Sequence, residues 1–390
     1  MSLAGASTGF DSSSLLVETG SVPTSRRLAI AAGGTAGHVT AGLAIADAYQ
    51  EAFDDVSICF IGTARGLEGR LVPSSGYPLE IVAGTPIAGM QRRQKTRAVW
   101  DMLAGAAQAR RALRRHQSKL VIGFGGYASA GVLLAARSLG LRIAIHESNI
   151  VPGMTNRLLG RLAHRTYVGF DRARRSIGGG DIRVTGNPVR SEITAVTAKR
   201  RSRTDAWTGP AHVVVLGGSL GSRFLNDETP KLLECVAGLG VALEVRHQTG
   251  STDPQTVARS YEAAGISASV ERFISDMAET YHWADFAITS AGALTLAELA
   301  ASGLPSLLVP LSDSAGDHQV ENAKAFADAT GGWWVPQSEW NTGPLAERMA
   351  SLLLGVEEWE SASKRVRELA TPGAAGALVA DCEELMSGHW

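Results

Sequence analysis

Two short segments place glycines and small polar residues where a strand turns into a helix. They are Gly33-Gly34-Thr35-Ala36-Gly37-His38 and Gly217-Gly218-Ser219-Leu220-Gly221-Ser222. A turn of this kind offers backbone N–H groups and the positive end of a helix dipole to an anion. His38 falls on the first turn of the helix that follows the first segment. Histidine is the side chain suited to proton transfer near neutral pH, so His38 is a candidate general base, although a lone histidine is more often structural. The first segment lacks the Lys-Ser/Thr of a phosphate-binding Walker loop, and the next strand, Ser57 to Thr63, lacks the carboxylate a dinucleotide ribose requires. The second segment also fits G-x-S-x-G, with Ser219 as nucleophile and Asp313 or Asp317 and His318 downstream in hydrolase order. That reading leaves the first half of the chain without a role.

Two further clusters follow apolar strands: Gly123-Phe124-Gly125-Gly126-Tyr127-Ala128-Ser129 and Ser290-Ala291-Gly292-Ala293-Leu294-Thr295. Glu298 lies one turn into the helix after the second cluster, where a carboxylate can accept two hydrogen bonds from a ribose diol; the alternative is a solvated helical Glu. His318 and Asn322 share a helical face, and the adjoining Gln319 offers donors and acceptors suited to sugar hydroxyls. His146-Glu147-Ser148-Asn149 follows a strand directly, a position that favours binding groups. Cys59, Cys235 and Cys382 are far apart and show no C-x-x-C spacing, which argues against a structural zinc or a disulfide framework and for buried, reduced thiols. There is no D-x-D motif, so no obligatory metal is expected, and no cofactor.

The elements that position these groups alternate. Strands are expected at Leu28–Ala32, Val56–Ile61, Leu79–Val82, Leu120–Ile122, Ile143–Ile145 and Arg165–Val168. The pattern restarts with His212–Leu216, Ala242–Val245, Ala268–Phe273, Phe286–Thr289 and Ser306–Val309. Helical spacing lies between, so the chain reads as α/β, with two doubly wound copies of one architecture and both sets of glycine turns around one cleft. Residues 197–210 read as a linker, the start of the chain as a flexible tail, and the stretch from about Pro372 onward as a closing helix. No apolar run reaches the ~20 residues that span a bilayer, and the first residues lack the basic start and apolar core of a signal peptide. A formal net charge of −1 gives no electrostatic pointer to nucleic acid.

One local patch departs from that balance. Between Met90 and Lys119 stand nine basic residues, among them Arg92 and Arg93, with Asp101 the only acid and Trp100 among the apolar residues between them. A cationic surface with apolar groups suits anionic lipid headgroups; the competing reading is an ordinary solvated helix.

Seven segments in order resemble the MurG family, the lipid I N-acetylglucosaminyltransferases of peptidoglycan synthesis. These are the glycine segments at 33–38, 123–127 and 217–222, His-Glu-Ser-Asn at 146–149, Gly-Asn-Pro-Val-Arg at 186–190, Ser-Ala-Gly-Ala-Leu-Thr-Leu-Ala-Glu at 290–298 and His-Gln-Val-Glu-Asn-Ala at 318–323. The resemblance implies a GT-B fold, two Rossmann-like domains facing across a cleft. Its divisions would be a tail over 1–26, an acceptor- and membrane-facing domain over 27–189, a UDP-sugar-binding domain over 190–370 and a helix over 371–390 that returns to the first domain. It implies transfer of N-acetylglucosamine, with inversion, from UDP-N-acetylglucosamine to undecaprenyl-linked lipid I, giving lipid II. A place on the cytoplasmic face of the cell membrane would follow, with bearing on cell shape and division and with cell-wall synthesis or division proteins as candidate partners. The implied substrate contacts are Thr35, Ala36, Gly37, Asn149, Arg190, Ser219, Ile274, Gln319 and the run Ala293, Leu294, Thr295, Leu296, Ala297 and Glu298, with His38 as base. Arg92, Arg93 and Trp100 would touch the membrane. Ala36 stands where the family commonly has glycine.

Overall fold

The computed structural model describes residues 26–64, 66–85, 92–195, 209–312 and 317–388, with the side chains of 92–99 left aside. Nearly all of the expected tail and linker lies outside these residues.

Seven parallel strands form the first sheet, in the order β3-β2-β1-β4-β5-β6-β7. They are β1 (Arg26–Ala31), β2 (Val56–Gly62), β3 (Leu79–Ile81), β4 (Leu120–Gly123), β5 (Arg142–Glu147), β6 (Arg165–Val168) and β7 (Asp181–Val184). Six parallel strands form the second, in the order β10-β9-β8-β11-β12-β13. These are β8 (Ala211–Leu216), β9 (Leu243–Gln248), β10 (Ser267–Glu271), β11 (Phe286–Thr289), β12 (Ser306–Leu308) and β13 (Trp333–Trp334). Two strands escape the sequence reading. The edge strand β7 is mostly exposed and polar, and β13 is only two residues long, so neither carries an apolar signature.

The central strands are apolar on both faces because helices cover both. Leu28 and Ile30 of β1 pack into one cluster with Val39, Leu43 and Ile45 of the helix Ala36–Ala52. Their neighbours Ala29 and Ala31 point the other way, toward Ala109, Leu113 and Val132 on the helices Arg92–His116 and Gly126–Ser138. The second sheet repeats this alternation. Val213 and Val215 face Leu225, Leu232 and Val236, whereas Val214 and Leu216 face Leu296 and Leu299. Cys59 and Cys382 are buried as expected, but Cys235 is exposed. On its helix, Arg223–Gly238, the residues Leu232, Leu233 and Val236 take the core face and leave Cys235 outside.

The chain ends by crossing back. The helix Val356–Arg367 is pinned to the second domain by Trp359, whose Nε1 donates to the Asp285 carbonyl at 2.8 Å. The last helix, Ala374–Ser387, buries Leu378, Val379, Cys382 and Leu385 in the same cluster as Leu28 and Ile30. Each such apolar side chain stabilises the packed state by about 1.5–3 kcal/mol. Asp381 fixes the helix laterally. It accepts from the Tyr167 hydroxyl at 2.7 Å and pairs at 2.8 Å with Arg165, whose side chain is only 3% exposed.

Removing one member of a buried ion pair leaves the other charge uncompensated. Here Arg165 keeps Asp181 at 3.1 Å, so Asp381→Ala is expected to lower unfolding free energy by about 1–3 kcal/mol through its lost hydrogen bonds, read as an earlier urea midpoint with an unchanged slope. An unmoved midpoint would show that the last helix is held without Asp381, by its apolar face and the Arg26–Glu383 pair at 2.7 Å.

Candidate active site

All strands being parallel, each sheet delivers its carboxyl ends to one edge, and ligands bind there at the point where strand order reverses. In the first sheet that point lies between β1 and β4, and in the second between β8 and β11. The four glycine clusters follow these four strands. Between the two edges lies a cleft of about 2140 Å³ lined from both domains.

On the first-domain wall, Thr35 caps the helix Ala36–Ala52, its hydroxyl accepting from the His38 N–H at 3.5 Å. The His38 ring Nδ1 lies 3.2 Å from the Gly33 carbonyl oxygen, and the ring lines the cleft. Asn149 is set by two neighbours. Glu147 accepts from its backbone N–H at 2.8 Å and its side-chain amide at 3.1 Å, and its Oδ1 accepts from Asn322 at 3.1 Å. His146 does not reach the cleft; it is fully buried, within 3.2 Å of the Gly186 carbonyl, and burial pushes its pKa down to about 4. It is a neutral structural group, which leaves His38 as the imidazole on this wall.

On the opposite wall, the turn Gly217–Ser222 is held by backbone approach. A Cβ on Gly221, whose φ is +80°, would sit 2.1 Å from the Thr249 carbonyl oxygen, so only glycine fits. Gln248 bridges two parts of the wall, donating to the Gly218 carbonyl at 3.0 Å and accepting from Ile274 N–H at 2.9 Å. Glu298 accepts from the Tyr281 hydroxyl at 2.9 Å through one oxygen. Burial raises the Glu298 carboxyl above its ordinary range, while the Tyr281 hydroxyl and the nearby Arg190 charge pull it back down. Gln319 accepts from Ala291 N–H at 3.2 Å and Leu311 N–H at 3.0 Å with its oxygen, which orients the amide and turns its donor end elsewhere. Arg190 pairs with Glu192 at 2.7 Å, and its Nε is buried with no hydrogen-bond partner among the described residues. At the start of the helix Ala293–Ser302 the first intrahelical bond runs from Leu296 N–H to the Gly292 carbonyl, so the preceding N–H groups have no partner within the helix.

The cleft thus collects Thr35, Ala36, Gly37, His38, Asn149, Arg190, Ser219, Ile274, Ala293, Leu294, Thr295, Glu298 and Gln319. It does not collect two members of the run after Gly292. Leu296 is 1% exposed and packs into the core with Leu299, and Ala297 does not line the cleft, because a helix turns about a quarter of its residues to any one side. Of the hydrolase triad, Asp313 lies outside the described residues, and among them the Ser219 hydroxyl makes no hydrogen bond to a histidine. Arg92 and Arg93 open the helix Arg92–His116, with side chains outside the description, while Trp100 on that helix is 72% exposed. Sequence reasoning missed Gln248, Tyr281 and Glu68. Gln248 had a signal, a polar residue ending a strand beside the cleft. Tyr281 and Glu68 had none, since each acts on a residue far from it in sequence.

Asn322 serves the cleft from behind. Its Oδ1 accepts from Ile150 N–H at 3.1 Å, and its amide donates to Asn149 and to the Ala291 carbonyl at 3.2 Å. One buried side chain thereby ties the loop after β5 to the loop after β11.

Residues 28–168 match the glycosyltransferase family 28 N-terminal domain and residues 212–375 its C-terminal domain. A Pseudomonas entomophila protein named UDP-N-acetylglucosamine–N-acetylmuramyl-(pentapeptide) pyrophosphoryl-undecaprenol N-acetylglucosamine transferase is 39% identical, over 93% of this chain and 99% of that one. A Magnetococcus marinus protein of the same name is 38% identical, over 91% of this chain and 96% of that one. The crystal structure of Acinetobacter baumannii MurG superposes with a TM-score of 0.71 at 30% identity, covering 92% of this chain and 99% of that one. The chain belongs to the MurG family. Its GT-B fold is shared more widely: a Listeria monocytogenes structure described as a putative UDP-N-acetylglucosamine 2-epimerase superposes with a TM-score of 0.65 at 13% identity, a likeness of fold alone. Both walls of the cleft therefore lie in the part of the chain that aligns with MurG proteins.

Asn322→Ala removes three hydrogen bonds, two of them between the domains, and leaves buried partners unpaired. A loss of about 1–3 kcal/mol is expected, measured as a lower thermal midpoint. An unchanged midpoint would mean that water replaces the amide at no cost.

Proposed function

We propose that this chain transfers N-acetylglucosamine from UDP-N-acetylglucosamine to the muramyl 4-hydroxyl of undecaprenyl-pyrophosphoryl-N-acetylmuramyl-pentapeptide. One observation carries the reading: relatives bearing that transferase name align with over nine-tenths of the chain, through both walls of the cleft. The chemistry of the cleft agrees with it. A UDP-sugar needs acceptors for a ribose, donors for a diphosphate and an oriented amide for sugar hydroxyls. Glu298, the free N–H groups before Leu296 with Arg190, and Gln319 are groups of those three kinds on one wall. Thr35, Ala36, Gly37, Asn149, Ser219 and Ile274 complete the contact set.

In the transfer itself, the acceptor hydroxyl gives its proton to His38 as its oxygen attacks the anomeric carbon. The bond from that carbon to the diphosphate oxygen breaks, its electron pair leaves with UDP, and the anomeric configuration inverts. Negative charge grows on the diphosphate as this happens. Preorganised N–H groups and a guanidinium aimed at that charge are worth several kcal/mol in a site closed to water.

The acceptor is a lipid, so the first domain rests on the cytoplasmic face of the membrane. The contact in this reading is peripheral; among the described residues no helix is long and apolar enough to cross a bilayer. Trp100, Leu103, Met154 and Leu158 are exposed by 72, 52, 71 and 68%, and the exposed Arg111 and Arg114 share a helix with the first two. The helices that carry these residues both pack against the helix Gly126–Ser138. A large apolar side chain buried in the interface stabilises binding by about 1.5–3 kcal/mol. Trp100→Ala is expected to weaken co-sedimentation with anionic phosphatidylglycerol vesicles about tenfold; equal binding of both proteins would place the membrane contact elsewhere.

Transfer of label from UDP-N-acetylglucosamine into a short-chain lipid I analogue tests the reaction, and it is expected to persist in chelator because the sequence has no D-x-D motif. His38→Ala is expected to reduce kcat by about 100-fold or more. Donor binding without transfer to lipid would refute the proposed activity, and near-normal turnover of His38→Ala would refute the base.

A further inference from the structure

Glu68 lies outside every motif and is fully buried beneath the first glycine turn. It accepts three hydrogen bonds: Thr63 N–H and the Thr63 hydroxyl at 2.9 Å each on one oxygen, and Gly34 N–H at 3.2 Å on the other. The Gly34 N–H and the Gly33 carbonyl are the two ends of one peptide group. The carbonyl end faces His38 Nδ1 at 3.2 Å. A carboxylate, a peptide and an imidazole therefore stand in one line.

The surroundings are shaped to this line. A Cβ on Gly33 would fall 2.5 Å from the Glu68 carboxylate, and one on Gly126 would fall 2.9 Å from the Gly33 oxygen and 3.2 Å from His38 Nδ1. Glycine at both positions lets the three groups close up without intervening atoms. The Tyr127 hydroxyl lies 3.3 Å from that of Thr63, which braces the carboxylate from the side of the glycine turn after β4.

We propose that Glu68 is a positioning residue for the transfer, acting on His38 through the Gly33–Gly34 peptide. A carbonyl can only accept, so His38 Nδ1 carries the hydrogen and Nε2 holds the lone pair that a base needs. A carboxylate accepting from the N–H end polarises the peptide and strengthens its carbonyl as an acceptor. Glu68 thereby holds the tautomer and ring orientation of His38, as an acid paired directly with a histidine does, with one peptide interposed. The proposal rests on the reading of His38 as the base.

Glu68→Gln tests it in the full-length protein. The amide oxygen can keep Thr63, but the amide nitrogen then meets Gly34 N–H donor to donor, and the line is cut. The expected result is a kcat lower by about 10- to 100-fold, the loss of one charge-assisted hydrogen bond, with KM for UDP-N-acetylglucosamine changed less than about threefold. Imidazole nitrogen NMR, with the His38 signals identified by their loss in His38→Ala, is expected to show the Nδ1–H tautomer in the parent and its depletion in Glu68→Gln. Retention of that tautomer in the folded variant overturns the proposal, as does a kcat within threefold of the parent. Glu68→Asp withdraws the carboxylate by one methylene and supplies the same two readouts if the Gln variant does not fold. The two readings fail separately: normal turnover of His38→Ala sinks the base, whereas an unchanged tautomer sinks the role of Glu68.

Discussion

The parallel pairing of every strand is the constraint on which the cleft depends, because it sends all carboxyl ends of a sheet to one edge. Helices then cover both faces, and the loops at that edge meet those of the other sheet. At the reversal of strand order, neighbouring loops leave in opposite directions and open a crevice. The glycine turns after β1, β4, β8 and β11 sit at the two reversals. The two walls bring different groups: one carries His38, and the other the oriented carboxylate, guanidinium and amide together with His318.

Holding two such edges face to face requires ties between domains. Asn322 spans the loops after β5 and β11 with three hydrogen bonds. Asn187 adds a donor shared between the Ser148 carbonyl at 3.1 Å and the Ala293 carbonyl at 3.4 Å. Leu294, at the start of a second-domain helix, is counted in the apolar cluster of the first domain. The chain itself crosses twice, the second time to lay its last helix against the first sheet. Between these ties the cleft is free of covalent cross-links among the described residues, all three thiols being unpaired.

Carboxylates do much of the shaping inside each wall. Glu147 gathers four donors, from Asn149 twice, Gly153 and Asn156. Glu68 gathers three around the turn that bears His38. A buried carboxylate is costly unless its lone pairs are filled, so a chain that buries one fixes the conformation of every loop that fills it. Loops that must present backbone groups to a ligand gain rigidity from such anchors without covering the groups they present.

Much of this was legible in the sequence. Apolar runs marked eleven of the strands, most clearly the central ones, since a parallel strand buried on both faces has no polar alternation to blur it. Repetition of strand, glycine turn and helix marked two like domains, and the chemistry of His38, Glu298 and Gln319 marked the cleft. The two-residue β13 and the polar edge β7 were not legible, because neither buries a continuous face. Nor was the inward turn of Leu296, or the exposure of Cys235, each decided by a few tens of degrees around a helix axis. Local residue types determine which elements form and which loops favour an anion. Only the tertiary structure brings Glu68 under Gly34, Tyr281 onto Glu298 and Asn322 between two loops, because those contacts join segments that no local periodicity relates.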